Sequence, residues 1–261
     1  DLLGMSAERQ SEGASDHLTV YPRVITLTNI KLPSQSPMGT MRHKQPIFED
    51  PTRSIGKRDY QAGDSLRRID WKASAVAGKL QTKLFEPSIA LDTILFLNLN
   101  LEDYNARTRF DATELAIVVC ASMANWIISQ RQATGLIANG IDPLSADSRP
   151  IPINSRKGRA QTMRILDILA RIKAADTNPF PTQLRHHRVN FPWGTTMIVI
   201  TGSAEKSLFE ELQQAGRAGL NPVLILCGEH PNHRQAAQQG KLYGIPVTVI
   251  RTEKDLDQWR K

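Results

Sequence analysis

Two pairs of histidines are the first residues whose type and spacing could hold a transition metal. His186 and His187 are adjacent, and His230 is followed three positions later by His233. Zinc sites take their ligands from histidine, cysteine and carboxylate side chains at characteristic spacings. Neither pair has a cysteine or carboxylate at a supporting spacing. We therefore predict that these histidines lie on the surface or in loops and form no zinc site.

Nucleophilic and phosphate chemistry has little support in the sequence. Ser74 and Ser203 are candidate nucleophiles, but neither lies in a Gly-x-Ser-x-Gly turn. Ser203 follows an apolar strand pattern and is better interpreted as a helix cap. The chain has neither a phosphate-binding loop with its lysine nor a Gly-x-Gly-x-x-Gly turn after a strand. The sequence thus predicts no catalytic constellation.

Charged side chains are dense between positions 58 and 72. They are Arg58, Asp59, Arg67, Arg68, Asp70 and Lys72. One interpretation is an internal clasp, a salt-bridged hairpin or helix that joins the N-terminal β region to the α/β domain that follows. The other is a docking surface, because arginine binds carboxylates and phosphates through two parallel hydrogen bonds. Buried charges need partners and both signs occur locally, which favours the clasp. Trp71 is predicted to pack inside under either interpretation.

The residues inside this charged segment predict a turn followed by a short helix. A turn is typical of the sequence at 62–64, and Asp64 or Ser65 can cap the helix that follows. Leu66 and Ile69 would then face inward.

Short apolar runs alternate with helical patterns from about residue 89 onward. The continuous run Thr93-Ile94-Leu95-Phe96-Leu97 is typical of a strand covered on both faces. Similar runs predict strands at 136–138, 197–200, 222–226 and 246–250, with helices between them. This alternation predicts an α/β fold in which a mostly parallel sheet is flanked by helices.

Residues 1–88 differ in character and predict a β-rich N-terminal segment. Two short β-type runs, 18–21 and 24–27, are separated by a proline. Residues 33–54 are rich in proline and polar residues, which indicates a long loop. We therefore place a domain boundary near residue 88, with the α/β domain at residues 89–261.

Composition indicates a globular domain with a substantial core. The 261 residues are 40% hydrophobic and 23% charged, with a formal net charge of +7. The basic residues are spread along the chain, so we expect no specific nucleic acid partner. Binding to anionic lipid or nucleic acid stays a minor alternative, which would show steep salt dependence. Cys120 and Cys227 lie in apolar patterns and are expected to be buried hydrophobes. The longest apolar stretch, 117–128, suits a buried helix better than a membrane span.

The segment 57–86 resembles the signature of the domain-of-unknown-function-58 family. Members of that family carry a Tyr-x-x-Gly-Asp turn, then Leu-Arg-Arg-Ile, an aspartate or histidine, and Trp-Lys-Ala-Ser-Ala. The matching residues are Tyr60, Gly63, Asp64, Leu66, Arg67, Arg68, Ile69, Asp70, Trp71, Lys72, Ala73, Ser74 and Ala75. A run of this length is a specific match, and the resemblance continues along the chain, mainly by pattern after residue 140.

This resemblance implies a von Willebrand factor A-like domain from about residue 89. It also implies a full-length bacterial protein with hydrophobic segments upstream of Asp1, which would anchor this part at the cytoplasmic face of the inner membrane. Family members are often encoded beside MoxR-type AAA+ ATPases, which implies a protein partner of that class. The biochemical activity of the family is unassigned.

The resemblance also directs attention to a metal position. A von Willebrand factor A domain usually holds Mg²⁺ through an Asp-x-Ser-x-Ser loop after its first strand. At that place this chain has Asn98, Asn100 and Glu102, and Thr201-Gly202-Ser203 stands where a later aspartate is expected. Hard divalent cations prefer oxygen ligands that include a carboxylate. We therefore predict no bound metal or other cofactor, with weak Mg²⁺ binding as the alternative.

Two functional hypotheses follow. The leading one is a non-catalytic protein-interaction scaffold of the cell envelope, partnering a MoxR-type ATPase. Its interaction or structural residues are Arg58, Tyr60, Gly63, Asp64, Arg67, Arg68, Asp70, Trp71 and Lys72. The alternative is a divalent-metal-dependent hydrolase or adhesion domain that uses Asn98, Asn100 and Glu102 at the carboxyl edge of the sheet, where open α/β sheets place ligands.

Overall fold

The structure of the protein is a computed structural model. It describes residues 19–28, 30, 49–61, 66–87, 92–145 and 152–259, without the side chains of 49–55, 67 and 84–87. In the described part the strands are β1 (Glu49–Asp59), β2 (Gln81–Pro87), β3 (Thr93–Leu97), β4 (Thr134–Ala138), β5 (Ile153–Arg156), β6 (Thr196–Thr201), β7 (Asn221–Cys227) and β8 (Val247–Ile250). The α-helices there are α1 (Trp71–Ala77), α2 (Arg109–Ser129), α3 (Arg159–Leu169), α4 (Phe180–Arg188), α5 (Lys206–Arg217) and α6 (His233–Tyr243).

The central sheet has six strands in the order β5-β4-β3-β6-β7-β8. Neighbouring strands are parallel except β5, which runs antiparallel to β4 at one edge. The predicted mostly parallel sheet flanked by helices is therefore confirmed. The chain winds outward in one direction from β3 and in the other from β6, so the strand order reverses between these two strands. Ligand sites of open α/β sheets lie at the carboxyl ends of the strands at such a reversal.

Helices cover both faces of this sheet. On one face α2 and α3 pack over the strands in one hydrophobic cluster, while α4, α5 and α6 cover the other face. All residues of β3 and β6 are buried, as the continuous apolar runs predicted. Strands that are covered on both faces need no polar alternation, which is why their sequence shows none.

Helix α2 is buried along nearly its whole length. By length and composition it could cross a membrane, but most of its apolar stretch lies inside the protein. Cys120 of α2 and Cys227 of β7 are 0% and 1% exposed, which confirms both as buried hydrophobes. Burial raises the pKa of each thiol well above its ordinary value.

Residues 19–28 and 30 pack on the α/β domain outside any helix or strand. Two of the backbone N–H groups of this segment bind other parts of the domain. Ile25 N donates to Ser122 Oγ of α2 at 2.9 Å, and Thr28 N donates to the carbonyl oxygen of Trp259 at 2.7 Å. The described part of the two predicted β-type runs therefore forms no strand, and that prediction is wrong. A segment without a neighbouring strand satisfies its backbone N–H groups through other polar groups. Here these groups belong to α2 and to a 3-10 helix at Glu253–Trp259.

A β-hairpin and a short helix form a second, smaller unit. Strands β1 and β2 pair antiparallel, and α1 lies between them in sequence. Asp70 caps α1, because its Oδ1 accepts from Ala73 N at 3.1 Å, and Gly78 ends the helix in the left-handed conformation at φ 67°. The helix thus begins later than predicted, after a 3-10 turn at Leu66–Arg68. The predicted caps Asp64 and Ser65 lie outside the described residues.

Candidate functional site

Three strands deliver polar residues to the reversal point of the sheet. Asn98 directly follows β3, Asn139 directly follows β4, and Thr201 ends β6. Because these strands are adjacent and parallel, their carboxyl ends meet at one edge. The side chains of all three residues are buried. Buried polar groups need hydrogen-bond partners, so their arrangement decides what this edge can do.

Asn98 lies at the centre of the resulting network. Its Nδ2 donates to Asp103 Oδ2 at 2.7 Å and to Thr201 Oγ1 at 2.9 Å. Its Oδ1 accepts from Asn139 Nδ2 at 2.6 Å and from the backbone N of Asn100 at 3.1 Å. An amide offers two donors and two acceptor lone pairs, so the side chain of Asn98 is fully occupied.

Further hydrogen bonds hold the loop that follows β3 against Asn98. Asn100 Nδ2 donates to the same Asp103 oxygen at 3.3 Å, and Asn100 Oδ1 accepts from Thr177 N at 3.2 Å. Tyr104 OH donates to the backbone carbonyl of Asn98 at 2.5 Å. A Cβ at Gly202 would collide with the Tyr104 ring and would lie 2.6 Å from the Asp103 carbonyl oxygen. Glycine at this strand end therefore lets the loop pack directly on it.

His233 fixes the other side of the same turn. It is the first residue of α6, only 6% exposed, and its Nε2 lies 2.8 Å from the carbonyl oxygen of Gly202. Burial lowers the pKa of His233, which favours the neutral ring. A carbonyl oxygen only accepts, so Nε2 carries the proton and donates. The prediction of a surface or loop position is wrong for His233, which has a structural role.

A divalent cation does not fit this arrangement of side chains. A cation would need oxygen atoms with free lone pairs, whereas Asn98 presents a nitrogen to Asp103 and Thr201. The oxygen of Asn98 is already bound by two N–H groups. Glu102 is exposed on a 3-10 turn and has no part in the network around Asn98. Within the described ranges, no cluster of three or more histidine, cysteine, aspartate or glutamate side chains could hold a metal ion.

Beside this network lies an open cleft of about 1070 Å³. Its wall contains Glu102, Asn139, Asp176, His186 and His187, together with the start of α4. Burial lowers the pKa of His187, and the neighbouring His186 lowers it further. Among the described residues, the lining of the cleft therefore combines the carboxylates of Glu102 and Asp176 with the imidazoles of His186 and His187, and it contains no lysine or arginine.

Sequence reasoning found Asn98 and Asn100 but missed their partners. Asp103 and Asn139 hold the network together, and neither was singled out beforehand. A signal for Asn139 was present, because it directly follows a predicted strand at 136–138, just as Asn98 follows β3. Parallel neighbours bring such positions together. Asp103 gave no comparable signal, because its place depends on the conformation of the loop.

The charged signature residues pair inside the hairpin unit. Lys57 Nζ lies 2.9 Å from Asp70 Oδ2, and Lys79 Nζ lies 2.6 Å from Asp59 Oδ2. The hydrogen bond from Lys79 holds the pKa of Asp59 below its ordinary value, and the one from Lys57 does the same for Asp70. These bonds join β1 to the start of α1 and to the turn before β2, so opposite charges pair within the unit, as expected for a salt-bridged hairpin. That the segment joins the β region to the α/β domain stays a prediction.

The other signature residues that the structure describes lie on the β1–β2 ladder or on the surface. Tyr60 N donates to Leu80 O at 2.9 Å, which continues the β1–β2 ladder, and Arg58 donates to the carbonyl of Asp59 at 3.1 Å. Arg68 and Lys72 are exposed. Gly63, Asp64 and the side chain of Arg67 lie outside the described residues.

Three apolar side chains of this unit are exposed instead of packed. Trp71 is 68% exposed, Leu66 66% and Val76 87%, and α1 buries none of its residues within the described structure. We call the exposed surface of the hairpin unit that carries these side chains the signature face. The predictions that Trp71 packs inside and that Leu66 faces inward are therefore wrong, whereas the inward position of Ile69, 5% exposed, is confirmed.

Comparison with protein families identifies the chain. Residues 56–188 match the family described as "Protein of unknown function DUF58". This range contains most of the hairpin unit and the network residues Asn98, Asn100, Asp103 and Asn139, but not Thr201. The chain belongs to that family. The DUF58 resemblance inferred from the signature is therefore confirmed.

Individual relatives are more distant or only partly covered. The chain is 34% identical over 144 residues to the uncharacterized protein YeaD of Bacillus subtilis, across 54% of this chain and 33% of that protein. This DUF58 chain thus spans about a third of the length of that relative. Among solved structures, the pilus adhesin SpaC from Lactobacillus rhamnosus GG has a TM-score of 0.46 at 11% identity, covering 67% of this chain and 29% of its own. A von Willebrand factor type A protein from Catenulispora acidiphila has a TM-score of 0.43 at 10% identity, covering 69% of this chain and 42% of its own. These structural likenesses are too distant to carry an argument about function.

Proposed function

We propose that this chain is a non-catalytic protein-interaction scaffold of the cell envelope, and that it docks a partner protein through the signature face. The observation that carries the proposal is the exposure of Trp71, which is 68% accessible at the start of α1. Leu66 in the preceding 3-10 turn and Val76 near the end of α1 are exposed as well. Tryptophan is one of the residue types most enriched in binding hot spots. A tryptophan with only a structural role would be expected to pack against the sheet.

The charges around the signature face define the chemistry of the partner. Lys72 is exposed and directly follows Trp71, whereas the carboxylates of Asp59 and Asp70 are paired with lysines of the same unit. A complementary surface has an apolar recess for Trp71 with carboxylates at its rim. Such a partner would be attracted by the basic rim and held by the apolar contact.

The network around Asn98 supports the non-catalytic part of the proposal. Open α/β sheets use this edge for ligands, but here its buried polar groups are bound to one another. A nucleophile or general base needs a free lone pair aimed at a substrate. The alternative of a metal-dependent hydrolase or adhesion domain draws no support from this arrangement.

The family resemblance is the basis for the proposed partner and for the proposed cellular location of this chain. A MoxR-type AAA+ ATPase is the proposed partner, because family members are often encoded beside such enzymes. The proposed location is the cytoplasmic face of the inner membrane, with the anchor in segments upstream of Asp1. Both parts of the proposal rest on the family and not on a contact within this chain.

Binding to a MoxR-type ATPase from the same organism tests the proposal directly. The purified chain and Trp71→Glu are titrated against that ATPase by calorimetry. We expect the substitution to weaken binding by about tenfold or more, because a charge replaces the apolar anchor. Helix α1 has no buried residue to lose, so the folded state should persist.

A matched control separates docking from a general surface effect. Leu242 on α6 is 81% exposed, and Leu242→Glu makes the same kind of change elsewhere. This variant should bind the ATPase like the unchanged chain. Equal affinities of the Trp71→Glu variant and the unchanged chain would refute the signature face as the docking site. If the unchanged chain showed no binding to the ATPase, the proposed partner would be wrong.

A further inference from the structure

The reversal point of the sheet gathers oxygen atoms around a nitrogen. Asp103 Oδ2 and Thr201 Oγ1 both lie within 2.9 Å of Asn98 Nδ2. Asn100 Nδ2 approaches the same Asp103 oxygen at 3.3 Å. A carboxylate and a hydroxyl at the carboxyl end of a parallel sheet are typical ligands of a hard cation. Here an amide group occupies the position between them.

We propose that the side-chain amide of Asn98 acts in place of a divalent cation, so that this edge of the protein is held closed without metal. The N–H groups of Asn98 and Asn100 carry partial positive charge and balance the carboxylate of Asp103. The hydroxyl of Thr201 accepts from the same amide nitrogen. Partner binding elsewhere on the chain is then independent of divalent cations.

Burial explains why the group at position 98 must match its hydrogen-bond partners. Asn98 is 1% exposed and Thr201 0%, so neither can exchange a lost partner for water. An aspartate at position 98 would bring a second carboxylate against Asp103, at a contact now 2.7 Å long. Two carboxylates at such a distance cannot both stay ionised without a cation or a proton between them. The amide removes that requirement.

The Asn98→Asp variant therefore tests the inference. In the presence of a chelator we expect its melting temperature to fall by about 4–10 °C relative to the unchanged chain. Excess Mn²⁺ or Mg²⁺ should restore most of this loss, because a cation then lies between the two carboxylates. The unchanged chain should melt at the same temperature with chelator and with either cation.

Two further variants make the test independent of simple misfolding. Asn105→Asp adds the same charge a few residues away, where the side-chain oxygen accepts from Arg107 N and an aspartate can do the same. It should melt like the unchanged chain under both conditions. The exchange variant Asn98→Asp with Asp103→Asn again pairs one carboxylate with one amide. It should regain most of the stability and lose the response to metal.

Several outcomes would overturn the inference. In the first, Mn²⁺ or Mg²⁺ raises the melting temperature of the unchanged chain, and Asn98→Ala abolishes this rise. Another is an Asn98→Asp variant that gains nothing from either cation, whether it folds or not. An exchange variant as unstable as Asn98→Asp alone would also contradict it. If a chelator abolished binding of the partner, binding would depend on a divalent cation and the inference would be wrong. The result for Trp71→Glu, by contrast, tests only the docking site.

Discussion

A buried aspartate at the rim of the α/β domain gives the stability of the chain a defined pH dependence. Asp142 is 1% exposed, and Arg171 Nε donates to both of its oxygens at 2.8 and 3.0 Å. Leu144 N also donates to Oδ1, at 3.1 Å. The hydrogen bond from Arg171 is the main reason why the pKa of Asp142 lies below its ordinary value of 3.8. The charged form is therefore favoured by folding.

Asp142→Asn should remove this pH dependence. A folded pKa below the unfolded one stabilises the protein fully above pH 3.8, and the contribution is lost as pH falls through the folded value. At neutral pH we expect the variant to lose about 1–3 kcal/mol of unfolding free energy, since Arg171 loses a charged partner. Urea unfolding from pH 7 down to strongly acidic pH measures the difference. The two curves should converge below pH 3.8, and a constant gap would contradict the assignment.

The candidate site was predictable at some residues and not at others. Asn98 directly follows a run that is typical of a buried strand, and Asn100 comes two residues later, so the sequence predicted their place at the sheet edge. Their role did not follow, because an amide can present either its oxygen or its nitrogen. The donors and acceptors around Asn98 decide this, and Asp103 and Asn139 come from separate segments of the chain.

Among the elements, α2 shows how one helix can hold an otherwise unpaired segment. Ser122 Oγ accepts from Ile25 N at 2.9 Å and donates to Val118 O at 2.7 Å, fully buried. Ser122→Ala leaves the Ile25 N–H buried without a partner, which costs about 1–3 kcal/mol. Hydrogen exchange at Ile25 and Leu27 should accelerate more than exchange in β3.

The end of the same helix provides the control for this change. Ser129 Oγ donates to Trp126 O at 2.6 Å, and Ser129 is exposed. Ser129→Ala removes a helix-internal bond of the same type without leaving a buried donor, so we expect an effect of about 0.5 kcal/mol or less. Equal exchange rates in the two variants would show that Ser122 does not hold the segment 19–30.

Strands and helices were predictable to different degrees for physical reasons. Strands β3, β6 and β7 carry long apolar runs because both of their faces are covered. The edge strand β5 reads Ile153-Asn-Ser-Arg156 and pairs on one side only, so its sequence lacks such a run. Helix α4 was missed because it is short and buries only Phe180 and Leu184. The run at 24–27 has strand composition, but in the fold its neighbours are helices.

The whole molecule depends on that N-terminal segment more than the predicted domain boundary suggests. Ile25, Leu27 and Ile30 are each at most 9% exposed and belong to the same cluster as α2. Arg23 also lies 2.6 Å from Glu253, an exposed pair that contributes little. A division at residue 88 would assign these core residues to another domain. The α/β domain at 89–261 would then begin without part of its own core.

A chain that begins at residue 89 should therefore be less stable than the full 261 residues. Losing three buried aliphatic side chains, offset by the entropy of ordering the segment, predicts a decrease of roughly 2–5 kcal/mol in unfolding free energy. Chemical denaturation of both chains measures this difference. A synthetic peptide with the sequence of residues 19–30 should recover part of it when added in excess, since binding to the folded state alone stabilises that state. A peptide of the same composition in scrambled order should have no effect, because Ile25, Leu27 and Ile30 could no longer occupy their sites together. If the shorter chain were as stable as the full one, segment 19–30 would be a peripheral strap and the boundary at residue 88 would stand.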